Sequence, residues 1–98
     1  MSTFRLDKLR LKAFCEKHHI IYLSVFGSAL TSYFGPTSDV DILVQFDRKY
    51  LPTLFEMTDL ETELTSLVGR TVDLKTPNDL SPYFREEVLR NAEIYYSL

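Results

Sequence analysis

Apolar residues recur along this chain in two rhythms, one helical and one alternating. Leu6, Leu9 and Ala13 form a row at helical spacing, and Leu11, Phe14 and Cys15 form a second row beside it. Arg5, Lys8, Lys12, Glu16 and Lys17 supply much of the polar side, so this segment predicts an amphipathic helix. Ser2 or Thr3 would cap it, and it would run to about His18. Ile20–Phe26 is rich in β-branched and aromatic residues and apolar on both faces, as suits an interior strand. Val40–Phe46 predicts a second strand, with Val40, Ile42 and Val44 on one face and Asp41, Leu43 and Gln45 on the other.

Pro52 is placed to begin a long helix in which Met57, Leu60, Leu64 and Leu67 recur. Glu56, Asp59, Glu61 and Glu63 are expected to face water, and Gly69 to sit just past the helix end. Thr71–Lys75 alternates as a short third strand, and Ser81-Pro82 marks the start of a last helix reaching Tyr96. Its apolar row would be Phe84, Val88, Ala92 and Tyr95. Ala29–Phe34 is long enough for a short helix or turn before Gly35-Pro36. The expected fold class is therefore α/β (α+β), with helices packed on a sheet of about three core strands.

At 98 residues the chain reads as one domain, 1–98, without room for a second substrate-binding domain. Its 45% hydrophobic and 26% charged residues fit a soluble globular protein. The net charge of −3 leaves no general electrostatic footprint for nucleic acid, so direct nucleic-acid binding is not expected. A single cysteine, Cys15, excludes an internal disulfide framework and fits a reducing cytoplasm. No apolar run approaches the ~20 residues of a membrane span, and no signal-peptide pattern opens the chain. Cys15 lies in an apolar row and reads as a small buried hydrophobe. His18 and His19 close the first helix; adjacent helical residues do not face one another, which argues against the pair as joint metal ligands.

The chemistry concentrates between Val25 and Gln45. Gly27-Ser28 ends the first strand, where a residue without Cβ lets backbone N–H groups approach a phosphate. Ten residues later Asp39-Val40-Asp41 opens the second strand, and strand alternation points Asp39 and Asp41 the same way, with Cα atoms roughly 6.6 Å apart. Two such carboxylates can grip one Mg²⁺ or straddle a metal pair. If the third strand lies beside the second, Asp73 joins them. A plainer reading makes Asp39 a turn cap, Asp41 an edge-strand solubility charge and Asp73 a partner of Lys75 or Arg70. The coincidence of all three acids on one face favours the functional reading.

Gly27-Ser28, ten residues and Asp39-Val40-Asp41 resemble the signature of the DNA polymerase β-like nucleotidyltransferase superfamily. The short chain, Phe26-Gly27-Ser28, Ser38, and Gly69-Arg70-Thr71-Val72-Asp73-Leu74 look like its minimal nucleotidyltransferase branch. The resemblance implies a mixed sheet, Asp39, Asp41 and Asp73 as catalytic Mg²⁺-binding carboxylates, and Gly27, Ser28 and Ser38 as nucleotide-binding residues. It further implies an antitoxin of a type VII-like toxin–antitoxin pair, moving AMP from ATP to a tyrosine hydroxyl of a HEPN-domain ribonuclease toxin. Members of the branch commonly carry Arg-Gly three and four positions after the serine, whereas this chain has Thr31-Ser32 there. That departure motivates a second reading, an antitoxin that acts by binding alone; a third, a small-molecule nucleotidyltransferase, is opposed by the short chain unless a second chain completes the pocket.

Overall fold

The structure is a computed structural model and describes residues 6–27 and 39–98. Among the described residues three α-helices and four strands follow one another as α1 (Lys8–Lys17), β1 (Ile20–Phe26), β2 (Val40–Phe46), α2 (Leu54–Val68), β3 (Val72–Lys75), α3 (Pro82–Asn91) and β4 (Glu93–Ser97). The strands form one mixed sheet in the order β3-β2-β1-β4. β2 runs antiparallel to β1 and parallel to β3, and β4 runs antiparallel to β1. The expected α/β class with a mixed sheet is what forms, with a fourth strand added.

The two strands predicted first, β1 and β2, keep their expected bounds, and both are interior. Their alternation builds the core. Ile20, Leu23 and Val25 of β1, Val40, Ile42 and Val44 of β2, and Val72 and Leu74 of β3 are buried in one cluster. Leu11, Phe14 and Cys15 of α1 and Leu60 and Leu64 of α2 complete that cluster, so both helices pack on the same side of the sheet. Burying hydrocarbon there is the main stabilising term, at roughly 25 cal/mol per Å². Cys15 is fully buried, and burial, helped by Glu16, pushes its thiol up to about 12, so it packs as an inert hydrophobe.

Several boundaries differ from the expectation, each for a local reason. The cap of α1 is Asp7, whose Oδ1 accepts from the backbone of Leu9 and Arg10; Ser2 and Thr3 lie outside the described residues. Pro52 stands before α2 rather than in its first turn. Thr53 is the cap, closed by a reciprocal pair of hydrogen bonds with Glu56. Gly69 ends α2 with φ of 80°, as expected of a left-handed cap. β3 begins at Val72 instead of Thr71.

The last helix is the largest correction. It stops at Asn91, and Glu93–Ser97 becomes a strand paired along β1. Phe84, Val88, Ala92 and Tyr95 therefore do not share a helix row, and α3 has no buried residue. The short run Ile94-Tyr95-Tyr96 suits a strand, and its pairing closes the edge that β1 would otherwise expose.

Two acids of α2 are also not the solvated surface expected of them. Glu61 accepts the outward-facing N–H of Leu74 (2.9 Å), while Thr65 accepts that of Val72 (3.1 Å). β3 is an edge strand, so α2 satisfies donors that its missing neighbour cannot. Glu63 receives Lys17 at 3.1 Å and lies 2.6 Å from His18 Nε2, tying α2 to the end of α1.

Candidate active site at the Asp41–Asp73 pairing

Alternation that sends Val40, Ile42 and Val44 into the core sends Asp41 to the opposite face. Parallel pairing then decides what stands beside it. Asp41 is in register with Asp73, Val40 with Val72, and Leu43 with Lys75. The backbone N–H of Val40 donates to Thr71 O (2.9 Å), locking the start of β2 against β3. Asp39, exposed, stands immediately before β2. β2 is an interior strand, which removes the reading of Asp41 as an edge-strand charge.

On the other flank, β1 delivers Gly27. Phe26 pairs with Asp41, so the next residue passes the aspartate side chain. Gly27 has φ of 72°, and a Cβ built there would collide with Asp41 Oδ2 and lie 3.3 Å from its Cγ. Glycine is therefore needed for its backbone conformation and for room beside the carboxylate. Gly27, Asp41 and Asp73 thus lie side by side across three strands. Ser28, Thr31 and Ser38 lie outside the described residues.

Electrostatics mark Asp41 within this group. It is half-buried, and desolvation raises its carboxyl above the ordinary aspartate range, with further upward pressure from Asp73 and Asp39. Lys75 opposes that rise. Its ammonium sits 3.3 Å from Asp73 Oδ2 and 3.4 Å from Oδ1. The Asp73–Lys75 pairing weighed from the sequence is thus present, and it coexists with the acidic face instead of replacing it. Among the described residues no three carboxylate, imidazole or thiol groups close into a chelating cluster. Asp41 and Asp73 are in-register neighbours, and Asp39 is near enough to press the Asp41 carboxyl upward. Their all-oxygen donor set and mutual repulsion suit a hard divalent cation such as Mg²⁺.

Two clefts of about 520 and 610 Å³ open around Phe46, Tyr50, Leu51 and Pro52, at the far end of β2. Neither of these two clefts is lined by Asp39, Asp41 or Asp73. Lys75 was legible as a partner of Asp73. The approach of Gly27 to the Asp41 side chain was not, because it depends on the antiparallel register of β1 and β2.

The polymerase β nucleotidyltransferase family model matches residues 10–98. The chain belongs to this family. Among its relatives is the protein adenylyltransferase MntA of Thermococcus cleftensis, 35% identical over 77 residues, which span 79% of this chain and 76% of that protein. A solved structure of a protein assigned as a minimal nucleotidyltransferase is 33% identical and superposes with a TM-score of 0.71, covering 87% of this chain and 85% of the other. The fold also matches, with a TM-score of 0.65 and 18% identity over 93% of this chain and 70% of the other, a complex of a tri-AMPylated HEPN toxin with its MNT antitoxin from Shewanella oneidensis. Membership makes this polymerase β-type domain a nucleotidyltransferase, and the acidic face is where its sequence signature falls.

Proposed function

We propose that the chain is a cytoplasmic, Mg²⁺-dependent protein adenylyltransferase, the antitoxin that moves AMP from ATP to a tyrosine hydroxyl of a HEPN-domain ribonuclease toxin. The observation that carries the reading is the parallel pairing of β2 and β3, which sets Asp41 opposite Asp73 with Gly27 on the other flank. It is supported by the family, by a relative named as a protein adenylyltransferase, and by the fold of an antitoxin seen with an AMPylated HEPN toxin. Among the described residues no helix is long and apolar enough to cross a membrane.

In this reading Asp39 and Asp41 hold Mg²⁺ from the start of β2 and Asp73 holds it from β3. When bound, the metal neutralises charge building on the phosphate oxygens and on the pyrophosphate leaving group. Gly27, with Ser28 and Ser38, admits the triphosphate close to the backbone. Asp73 orients the acceptor hydroxyl and accepts its proton. The acceptor oxygen bonds to the α-phosphorus as the bond to pyrophosphate breaks, and the chain's contribution is position and charge.

The test is to incubate the chain with Mg²⁺, α-labelled ATP and a HEPN-domain ribonuclease as acceptor. Label on a tyrosine of that protein, lost with Asp41→Asn, supports the reading. Intact binding without label overturns the enzymatic version. A binding-only antitoxin is the second reading, favoured by the lack of any basic residue in Ala29–Phe34. It requires neutralisation to survive Asp39→Asn with Asp41→Asn.

A further inference from the structure

The acidic face carries its own cation. Lys75 lies two residues after Asp73 on β3, so both side chains leave the same side of the strand. Its ammonium stands 3.3 and 3.4 Å from the two carboxylate oxygens, on a face it shares with Asp41. Lys75 and Asp73 are both about half-buried, with side-chain exposures of 36% and 44%, so solvent screens the pair only in part. Arg48 and Lys49 cannot do the same work: they follow Phe46, at the end of β2 roughly 17 Å from Asp41.

We propose that Lys75 is the tethered counter-cation of this face, holding Asp73 until a divalent ion supplies the charge, and so setting the face's affinity for that ion. The inference rests on the metal reading of Asp39, Asp41 and Asp73. With Lys75 on Asp73, the three acids are partly neutralised without a metal. An incoming dication must meet a positive charge and take over one of its partners. The ammonium, released on a four-carbon stem, then stays beside the reacting groups.

The experiment is a Mn²⁺ titration of the full chain without nucleotide, followed by electron paramagnetic resonance of the free ion. It compares wild type with Lys75→Met, Lys75→Gln, Lys75→Arg and Asp41→Asn, with thermal melts in EDTA as a check of folding. Even at fully aqueous screening, removing a unit charge ~5–6 Å from a dication tightens binding about tenfold, and partial screening makes that a lower bound. Lys75→Met and Lys75→Gln should therefore bind Mn²⁺ at least about tenfold more tightly, while Lys75→Arg stays near wild type. Their melting temperature should fall in EDTA and recover on adding the ion. Folded Lys75→Met and Lys75→Gln variants that bind Mn²⁺ no more tightly than a wild type that does bind it overturn the proposal while leaving the metal reading intact. Should wild type, Lys75→Met and Asp41→Asn all fail to bind, the metal reading falls and the proposal with it.

Discussion

Gly27 and Asp41 compete for the same space: the Cβ that Gly27 lacks would clash with a carboxylate oxygen of Asp41. Gly69 provides the comparison, because it too has a positive φ, 80° against 72°, but a Cβ there meets nothing within 4 Å. Gly69→Ala should cost only the left-handed backbone, about 1–2 kcal/mol, and leave nucleotidyl transfer near wild type. Gly27→Ala carries the same backbone cost and must also displace Asp41. Its transfer rate should drop about 100-fold, the scale of a 1 Å misplacement in a reacting site. Urea denaturation and a labelled-ATP assay on both variants separate the two effects. Equal activity in the two would show that the position of Asp41 does not matter.

The seat of Asp73 depends on a residue that never touches it. Glu61 accepts the N–H of Leu74 on the free edge of β3, one residue beyond Asp73. Glu61→Ala leaves that half-buried donor with water at best, and should cost about 1–2 kcal/mol. Hydrogen exchange at the Leu74 amide should accelerate by more than the change in global stability explains, since the edge opens locally. Because β3 carries Asp73, transfer should weaken with it. Glu61→Gln, which keeps an acceptor oxygen, should recover most of the protection.

These two relationships mark the limit of what the chain discloses when read in order. β1 and β2 were legible because alternation and β-branched content agree over seven residues. The same alternation placed Asp41 and Asp73 on one face once their strands were neighbours. Glu61 looked like solvated helix surface because its partner lies 13 residues away, on an edge that exists only in the folded sheet. The end of the chain misled for a related reason. Neither Gly nor Pro separates Asn91 from Ile94, and Phe84, Val88, Ala92 and Tyr95 happen to keep helical spacing. What decides for a strand is the unpaired edge of β1, a tertiary demand that overrides local periodicity.

Ser24 is a polar residue fully buried in β1, and among the described residues its hydroxyl has no hydrogen-bond partner. An unsatisfied buried hydroxyl is a destabilising feature, so removing it should help. Ser24→Ala is expected to stabilise the chain by up to about 1 kcal/mol, or a few degrees of melting temperature for a domain of this size. Its neighbour supplies the contrast: Leu23→Ala, in the core cluster, should lose about 2–5 kcal/mol. A loss in Ser24→Ala comparable to that of Leu23→Ala would mean that the hydroxyl has a partner after all.

Glu63 gives the fold a pH dependence whose sign is determined. Burial pushes its carboxyl upward, but hydrogen bonds and charge from His18 and Lys17 outweigh that and hold it below the usual glutamate range. The unfolded chain therefore takes up this proton at a higher pH than the folded one. The stabilisation is fully present above the unfolded value of about 4.3, and it is lost as pH falls through the lower, folded value. Glu63→Gln should melt below wild type at pH 7, by a margin that solvent screening of this part-exposed group keeps small. Once pH has fallen through that lowered, folded value the two melting curves should converge, because the wild-type carboxyl is then protonated as well. His18→Ala should show a reduced version of the same difference at pH 7, since Lys17 still holds Glu63. A gap between Glu63→Gln and wild type that widens toward acid pH would contradict the assigned direction.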